Sequence, residues 1–229
     1  MKIISIHQPG YLPWLGFFKK IMYSDVFVFL DNVKFVPRQW HNRNKIRTSQ
    51  ESSYLTVPIK NKSGKNINDV LIDYSENWKM NHKKTLFFNY SKAKFFTNHF
   101  SFFENLYEKK FDKLLDLNME IIYYLMKKFD IHTQIIFASE LDISSTKSDL
   151  NLDICKKLDA DVYLSGITGK TYLKEEDFDK SNIKIEYQNF QHPNYSQVYQ
   201  PFIPNMAAID LLFNEGNNSA KVLRKASNF

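Results

Sequence analysis

The sequence predicts an α/β fold: a mostly parallel, Rossmann-like sheet with a helical insertion in the middle of the chain. Three observations lead to this prediction. Short apolar runs that end in proline, glycine or polar residues alternate with helical patterns at both ends of the chain. A long stretch with apolar residues every three or four positions separates them. Hydrophobic residues at 43% and aromatic residues at 16% supply a large core. We predict one domain over residues 1–229, with the insertion at about 78–130.

The first elements form a βαβ unit. The β-rich run 3–6 ends at His7-Gln8-Pro9-Gly10, because proline and glycine end a strand. Residues 11–23 then read as a turn and a short helix. Residues 25–30 are nearly all apolar, which is typical of a strand buried on both faces of a parallel sheet.

The remaining elements follow from the same patterns. The stretch 33–53 is polar and basic, and a strand is predicted at 54–59, with Pro58 at its end or on a sheet edge. Apolar periodicity from 78 to about 129 predicts helices whose aromatic stripe packs in the core. Further on, we predict strands at 134–138, 162–164 and 183–187, a helix at 150–158, and a short helix within 201–213.

Composition limits the possible functions. A formal net charge of +6 fits either a lysine-rich surface or an anionic ligand. Cys155 is the single cysteine, which excludes an intrachain disulfide and a cysteine-based zinc site. The six histidines have no metal-ligand spacing, so we expect no metal, and no cofactor is identified. Without a signal-peptide region or an 18-residue apolar stretch, we expect a cytoplasmic protein with no membrane insertion.

Polar residues follow three of the predicted strands, at His7-Gln8-Pro9, at Asp31 and at 165–170. Ligands of open α/β sheets bind outside the carboxyl ends of the strands, so these segments converge if the strands are parallel neighbours. His7 titrates near neutrality and can act as a general base or acid, or it can simply stabilise the turn.

Other residues near these ends suit ligand binding. Gln8 can hydrogen-bond to an amide or to the edge of a base, or it can cap the loop. The rings of Tyr11 and Trp14 can stack on a base or sugar, although both rings also fit the core. The run from Trp40 to Arg47 includes the candidate binding residues Trp40, Asn42, Arg43, Asn44 and Lys45. Amides and cations of this kind suit an anionic, hydroxyl-rich ligand, although a solvated basic loop has the same composition.

The segment 165–172 offers donors for a phosphate group. Its candidate residues are Ser165, Gly166, Lys170 and Tyr172. It is not a Walker motif, which requires Gly-x-x-x-x-Gly-Lys-Ser/Thr. No Gly-x-Ser-x-Gly elbow occurs, so the sequence does not assemble a serine triad.

Several blocks of the sequence carry a family resemblance. They are His7–Phe18, Asp25–Asp31, Trp40 with Asn42-Arg43-Asn44, Trp78 with His82, Tyr90–Phe96, Ser165–Leu173, Asn194–Gln197 and Ile209–Gly216. Across nearly the whole chain, this pattern resembles the WbqC-like family. The shared polar positions include His82 and Asp210. One departure is Met206-Ala207-Ala208, where the family usually has Leu-Ser before its C-terminal Asp, so no catalytic serine is expected there.

The resemblance implies a role in bacterial surface-polysaccharide, especially O-antigen, biosynthesis. It suggests a transferase that places an acyl or aminoacyl group on the amine of a nucleotide-linked sugar. His7 would be the base, His82 the alternative base, and Asp31 a third catalytic candidate. Expected partners are a sugar nucleotide and a donor such as a charged tRNA or an acyl-CoA. Arg43, Lys45 and Lys170 would hold phosphate.

Two other functions fit parts of the sequence. A nucleotidyltransferase-like enzyme shares the order of strand, His-bearing loop, helix and strand ending in Asp31, but the usual His-x-Gly-His pair is missing. A non-enzymatic RNA-binding module would account for the basic charge with interleaved aromatic residues.

Overall fold

The structure, a computed structural model, describes residues 1–60 and 64–228. Its strands are β1 Ile3–His7, β2 Val26–Phe29, β3 Arg43–Arg47, β4 Ser52–Thr56, β5 Gln134–Phe137, β6 Val162–Gly166 and β7 Lys184–Gln188. Its α-helices are α1 Leu15–Met22, α2 Trp78–Tyr90, α3 Phe96–Glu108, α4 Leu114–Lys128, α5 Lys147–Lys157, α6 Glu175–Asp179, α7 Ile209–Glu215 and α8 Ser219–Lys225.

Five strands form the main sheet, in the order β5-β2-β1-β6-β7, and every pairing in it is parallel. The central strand β1 pairs with β2 from Ile4 opposite Val26, and with β6 from Ile3 opposite Val162. The chain therefore winds outward from β1 in both directions, as in doubly wound sheets. The α/β class and the parallel sheet predicted from sequence are confirmed.

The two faces of the sheet bury different apolar clusters, because side chains alternate along a strand. Phe27 and Phe29 of β2 join the cluster that contains α1 and the helices of the insertion. Val26 and Val28 point the other way and join residues of α5 and α6. Both faces of β2 are therefore buried, so each of its positions needs an apolar side chain. This explains the apolar run at 25–30.

The helical insertion consists of α2, α3 and α4. Its periodic apolar residues are the buried ones, among them Phe103, Leu117 and Ile121, which are fully buried. They share one apolar cluster with α1, β2 and α7. The insertion therefore packs on the face of the sheet that carries α1, and the single-domain organisation remains a prediction that this packing favours.

The strands β3 and β4 form a separate antiparallel pair. The polar run in 33–53 thus includes a strand that the sequence did not predict. Asn44 and Ile46 are buried while Arg43 and Lys45 are partly exposed, as alternation along a strand requires, and Arg47 departs from this pattern because it is also buried. The strand predicted at 54–59 instead spans Ser52–Thr56 and lies outside the parallel sheet.

None of the helices in the described ranges has the length and apolar character that crossing a bilayer requires.

Replacing Arg47 tests how the hairpin is held in the fold. Its guanidinium is 1% exposed and donates to the carbonyls of Thr48, of Glu51 at 2.8 Å and of Pro201 at 2.9 Å. Arg47→Met removes these bonds and leaves the carbonyls unpaired, so we expect unfolding to become easier by about 3 kcal/mol. The measurement is urea unfolding followed by circular dichroism.

Arg224→Met is the matched control. The Arg224 side chain is 55% exposed and pairs with Asp130 on the surface, so its loss should cost below about 1 kcal/mol. Equal effects of the two substitutions would contradict the anchoring role of Arg47.

Candidate functional site

The sheet changes winding direction beside β1, and this is where α/β proteins form a crevice. β1 ends at His7, and its neighbour β6 ends at Gly166. The space beside Gly166 is open, since a Cβ built there meets no heavy atom within 4 Å. The carboxyl ends of β1 and β6 are therefore our candidate site.

The His7 ring has one nitrogen available for chemistry. Its Nδ1 lies 2.8 Å from the carbonyl oxygen of Gln8, so Nδ1 carries the proton and donates it. The bare Nε2 is then the acceptor. The ring edge also packs against Phe17, with ring centroids 5.3 Å apart, which limits how the imidazole can turn.

The electrostatic surroundings keep His7 neutral. The side chain is exposed to solvent at the end of β1. Desolvation by the surrounding protein, followed by the charge of Lys20, lowers the pKa of His7 to about 4. His7 is thus an unprotonated acceptor at neutral pH.

A hydrogen bond with His41 orients the side chain of Gln8. The Gln8 Oε1 accepts from His41 Nε2 at 2.8 Å, which leaves the –NH₂ group of Gln8 as the available donor. His41 is 5% exposed, and burial lowers its pKa. Its position is fixed in turn by Asn118, which donates to the His41 carbonyl at 2.8 Å. The sequence did not single out His41 as a functional residue.

Lys20 places a buried cation behind the site. It is 2% exposed, and its Nζ donates to the carbonyl of Ile6, directly before His7, at 3.0 Å. Burial lowers the pKa of Lys20 to about 7. No carboxylate forms an ion pair with it in the described part of the chain. A bound anion nearby would favour the charged form of this lysine.

The other wall of the site is the segment after β6, which continues as a 3₁₀ helix, Ile167–Thr171. Ser165 is buried and donates to the Gly166 carbonyl at 3.1 Å. Gly169 packs so tightly on it that a Cβ would lie 2.1 Å from Ser165 Oγ. Gly169 therefore serves packing, and the groups left for a ligand are the exposed ones, Lys170 and Tyr172.

The comparison with known protein families matches the model of the WbqC-like protein family over residues 8–222. The chain belongs to the WbqC-like family. The resemblance read from the sequence is thus confirmed. This WbqC-like chain is also similar to a protein of Mycobacterium tuberculosis (strain ATCC 25618 / H37Rv), named as the uncharacterized protein Rv1507c. The two are 30% identical over 228 residues, which is 98% of each chain. No solved structure gives a significant match.

Two asparagines at the start of β3 in this WbqC-like protein bond to backbone carbonyls, and Asn44 holds the loop after β1. Asn44 donates to the Leu12 carbonyl at 2.7 Å, and Asn42 donates to the Val57 carbonyl at 2.8 Å. Both are buried. These contacts favour structural roles over the ligand-binding roles expected from sequence.

Arg43 and Lys45 project to the other side of β3. The Arg43 guanidinium lies 4.5 Å from the centroid of the Tyr54 ring, and the Lys45 ammonium lies 5.4 Å from it. Trp40 is 52% exposed, with its ring 6.4 Å from that of Tyr54. Arg43, Lys45 and Trp40 therefore share an outward surface and are available to a ligand.

The carboxylate of Asp31 already accepts hydrogen bonds from the protein on both of its oxygens. Its two oxygens accept from the backbone N–H of Ser139 at 3.0 Å and from its hydroxyl at 2.6 Å. Asn68 adds a third contact at 3.4 Å. The carboxylate thus ties the end of β2 to the turn after β5, which favours a structural role over the catalytic one expected from sequence.

His82 lies in a buried aromatic cluster of the insertion. The Tyr11 hydroxyl lies 2.9 Å from His82 Nδ1 and 2.6 Å from the Tyr107 hydroxyl. Burial lowers the pKa of His82 to about 4. Tyr11 is fully buried, and Trp14 packs edge-on against Phe190 with centroids 5.4 Å apart. Packing accounts for His82, Tyr11 and Trp14 without a ligand.

No group of three or more His, Cys, Asp or Glu side chains within 1–60 and 64–228 is arranged to hold a metal ion.

The effect of Lys20 on His7 gives the first prediction for this site. Removing the Lys20 charge by Lys20→Met should raise the pKa of His7 from about 4, while burial still keeps it below the ordinary 6.5. The measurement is an NMR titration of the His7 ring. Lys19→Met is the control, because the Lys19 ammonium donates to the carbonyls of Leu223 and Arg224. If Lys20→Met leaves the His7 titration unchanged, the electrostatic coupling is wrong.

The buried His82 gives a second prediction, on stability. Its pKa of about 4 in the folded chain is below 6.5, so the unfolded chain binds the additional proton between these values. Stability contributed by His82 is therefore complete above pH 6.5 and is lost as the pH falls towards 4. His82→Phe should flatten this part of the stability profile. Urea unfolding at several pH values measures it, and an unchanged slope would contradict the burial of a neutral His82.

Proposed function

We propose that this protein is a transferase that places an acyl or aminoacyl group on the amine of a nucleotide-linked sugar, in surface-polysaccharide biosynthesis. The observation that carries the proposal is the exposed, neutral His7 with its Nε2 free at the sheet's crevice. The family resemblance suggests the substrate class and the biosynthetic setting.

The reaction needs one proton acceptor. As the sugar amine attacks the acyl carbon of the donor, a C–N bond forms and the amine must lose a proton. Nε2 of His7 takes that proton. When the C–S bond of a thioester or the C–O bond of an aminoacyl ester breaks, His7 returns the proton to the leaving group. The side chain is unchanged at the end of the cycle.

Binding of the substrate would raise the basicity of His7. With a pKa of about 4 the imidazole is a weak base in the unliganded cleft. A sugar nucleotide carries a diphosphate, whose negative charge beside the ring stabilises the imidazolium and raises its pKa. General-base strength would thus appear only when the substrate is in place.

Several cations and donors suit the rest of the substrate. Lys20 lies behind β1, and Lys170 is exposed beside Tyr187, with its ammonium 5.0 Å from that ring's centroid. They would attract the diphosphate. The free –NH₂ group of Gln8 would donate to the acyl carbonyl oxygen as negative charge develops on it.

Binding and turnover are tested separately. Thermal-shift measurements should show stabilisation by amino-sugar nucleotides, because a ligand that binds only the folded chain raises its stability. Mass spectrometry should then show an acylated sugar with an acyl-CoA or a charged tRNA as donor. Stabilisation by nucleoside triphosphates alone, with pyrophosphate release, would instead support the nucleotidyltransferase function.

His7→Gln should keep the thermal shift and lower turnover by about 10²-fold to 10⁴-fold, the usual contribution of a general base. His132→Gln is the matched control, because the His132 side chain is 85% exposed and pairs with Asp130 on the surface. A His7→Gln enzyme with unchanged turnover would rule out the role of His7.

A further inference from the structure

Helix α2 presents large apolar side chains to solvent on the side opposite its core. Its buried residues are Trp78, His82, Leu86, Asn89 and Tyr90. The other side carries Met80, Lys84, Phe87 and Phe88, at helical positions i, i+4, i+7 and i+8. Met80 is 40% exposed, Phe87 56% and Phe88 76%. We call these four residues the outer face of α2.

Such a face is unusual for a helix packed on a domain, whose solvent side is normally polar. Exposed apolar side chains that cluster, rather than being scattered singly, mark an interaction surface. The Phe87 ring touches the core only at its margin, with centroids 5.8 Å from Phe96 and 5.9 Å from Phe100. Phe88 projects further. Ring contacts with α3 account for part of Phe87, whereas 76% of Phe88 is exposed.

The sequence around the outer face is rich in lysine. From residue 77 to residue 103 the sequence has five lysines, at 79, 83, 84, 92 and 94, and no Asp or Glu. Lys83 pairs with Glu108 at 3.7 Å, and Lys79 donates to the Lys109 carbonyl at 3.0 Å. Lys84, Lys92 and Lys94 are exposed and form no ion pair in the described ranges.

A polar recess lies beside these lysines. Lys92 and Lys94 border a cavity of about 360 Å³, whose lining also includes Ser196, Asn218 and Glu215. The Glu215 carboxylate accepts from Asn218 at 2.7 Å. The lining of this cavity includes two lysines and one carboxylate, so its polar residues suit a headgroup more than an apolar ligand.

The charge distribution decides between possible occupants. A second copy of the chain, packed by a two-fold axis, would bring the same lysines against each other. That arrangement is repulsive at short range. An anionic bilayer instead matches both features, because phenylalanine rings enter the headgroup boundary while lysine ammoniums reach the lipid phosphates.

We propose that the outer face of α2, together with Lys92 and Lys94, docks on an anionic phospholipid bilayer. The helix would lie along the bilayer surface, with Phe87 and Phe88 in the interface. The proposal is independent of the transferase function, because it uses none of the residues of the His7 site.

Vesicle co-sedimentation of the full chain tests this surface. Binding to vesicles of phosphatidylcholine with phosphatidylglycerol should greatly exceed binding to phosphatidylcholine alone, and salt should weaken it. Because each lysine near an anionic surface contributes about fivefold in affinity, Lys84→Gln with Phe88→Ser should reduce binding by about tenfold or more.

The matched control is Lys127→Gln with Tyr123→Ser on α4. It removes the same charge and one aromatic ring, that of Tyr123, which is 46% exposed. This variant should bind like the original chain, and circular dichroism checks that both variants are folded. Equal binding by the two variants, or no binding of the original chain to anionic vesicles, overturns the proposal. So does sedimentation velocity that shows a dimer which only the α2 variant dissociates.

Discussion

The structure depends first on the parallel pairing of β1 on both of its edges. β2 bonds to one edge and β6 to the other, so the chain winds away from β1 in two directions. The crossover helices then pack on opposite faces and leave the carboxyl ends of β1 and β6 uncovered. His7 reaches solvent at this end of the sheet because of the topology. The low pKa of its ring follows from desolvation by the surrounding protein and from the charge of Lys20.

The loop after β1 is held by the β3–β4 hairpin rather than by the sheet. The Tyr11 N–H donates to the Trp40 carbonyl at 3.1 Å, and Asn44 donates to the Leu12 carbonyl at 2.7 Å. Gly10 is needed where these segments meet, since a Cβ there would lie 3.0 Å from the Trp40 carbonyl oxygen. His41, directly before the hairpin, bonds to Gln8, so the hairpin and the residues that lead into it fix the loop that carries the candidate chemistry.

The group of the candidate site that can carry a positive charge from inside the protein is Lys20 rather than a histidine, since burial lowers the pKa of Lys20 to about 7 and the pKa of His7 to about 4. Lys20 bonds to a backbone carbonyl in place of a carboxylate, and an unpaired buried ammonium is costly. Because Lys20 lies close enough to His7 to lower the pKa of its ring, an electrostatic role explains this buried lysine better than a purely structural one. Lys84, Lys92 and Lys94, on and near the outer face of α2, are exposed instead, and so are the phenylalanine rings of that face.

Local patterns in the sequence were enough to predict the α/β class, the helical insertion and the position of His7 at a strand end, because alternation and helical spacing are local properties. They did not show which polar side chains have partners within the protein. Asp31 meets Ser139 across 108 positions, and His82 meets Tyr11 across 71. Lys20 is buried through the packing of α1 on the sheet. Hydrogen-bond partners so distant in sequence meet only when the chain is folded, so it is the tertiary structure that shows which polar groups already have a partner within the protein.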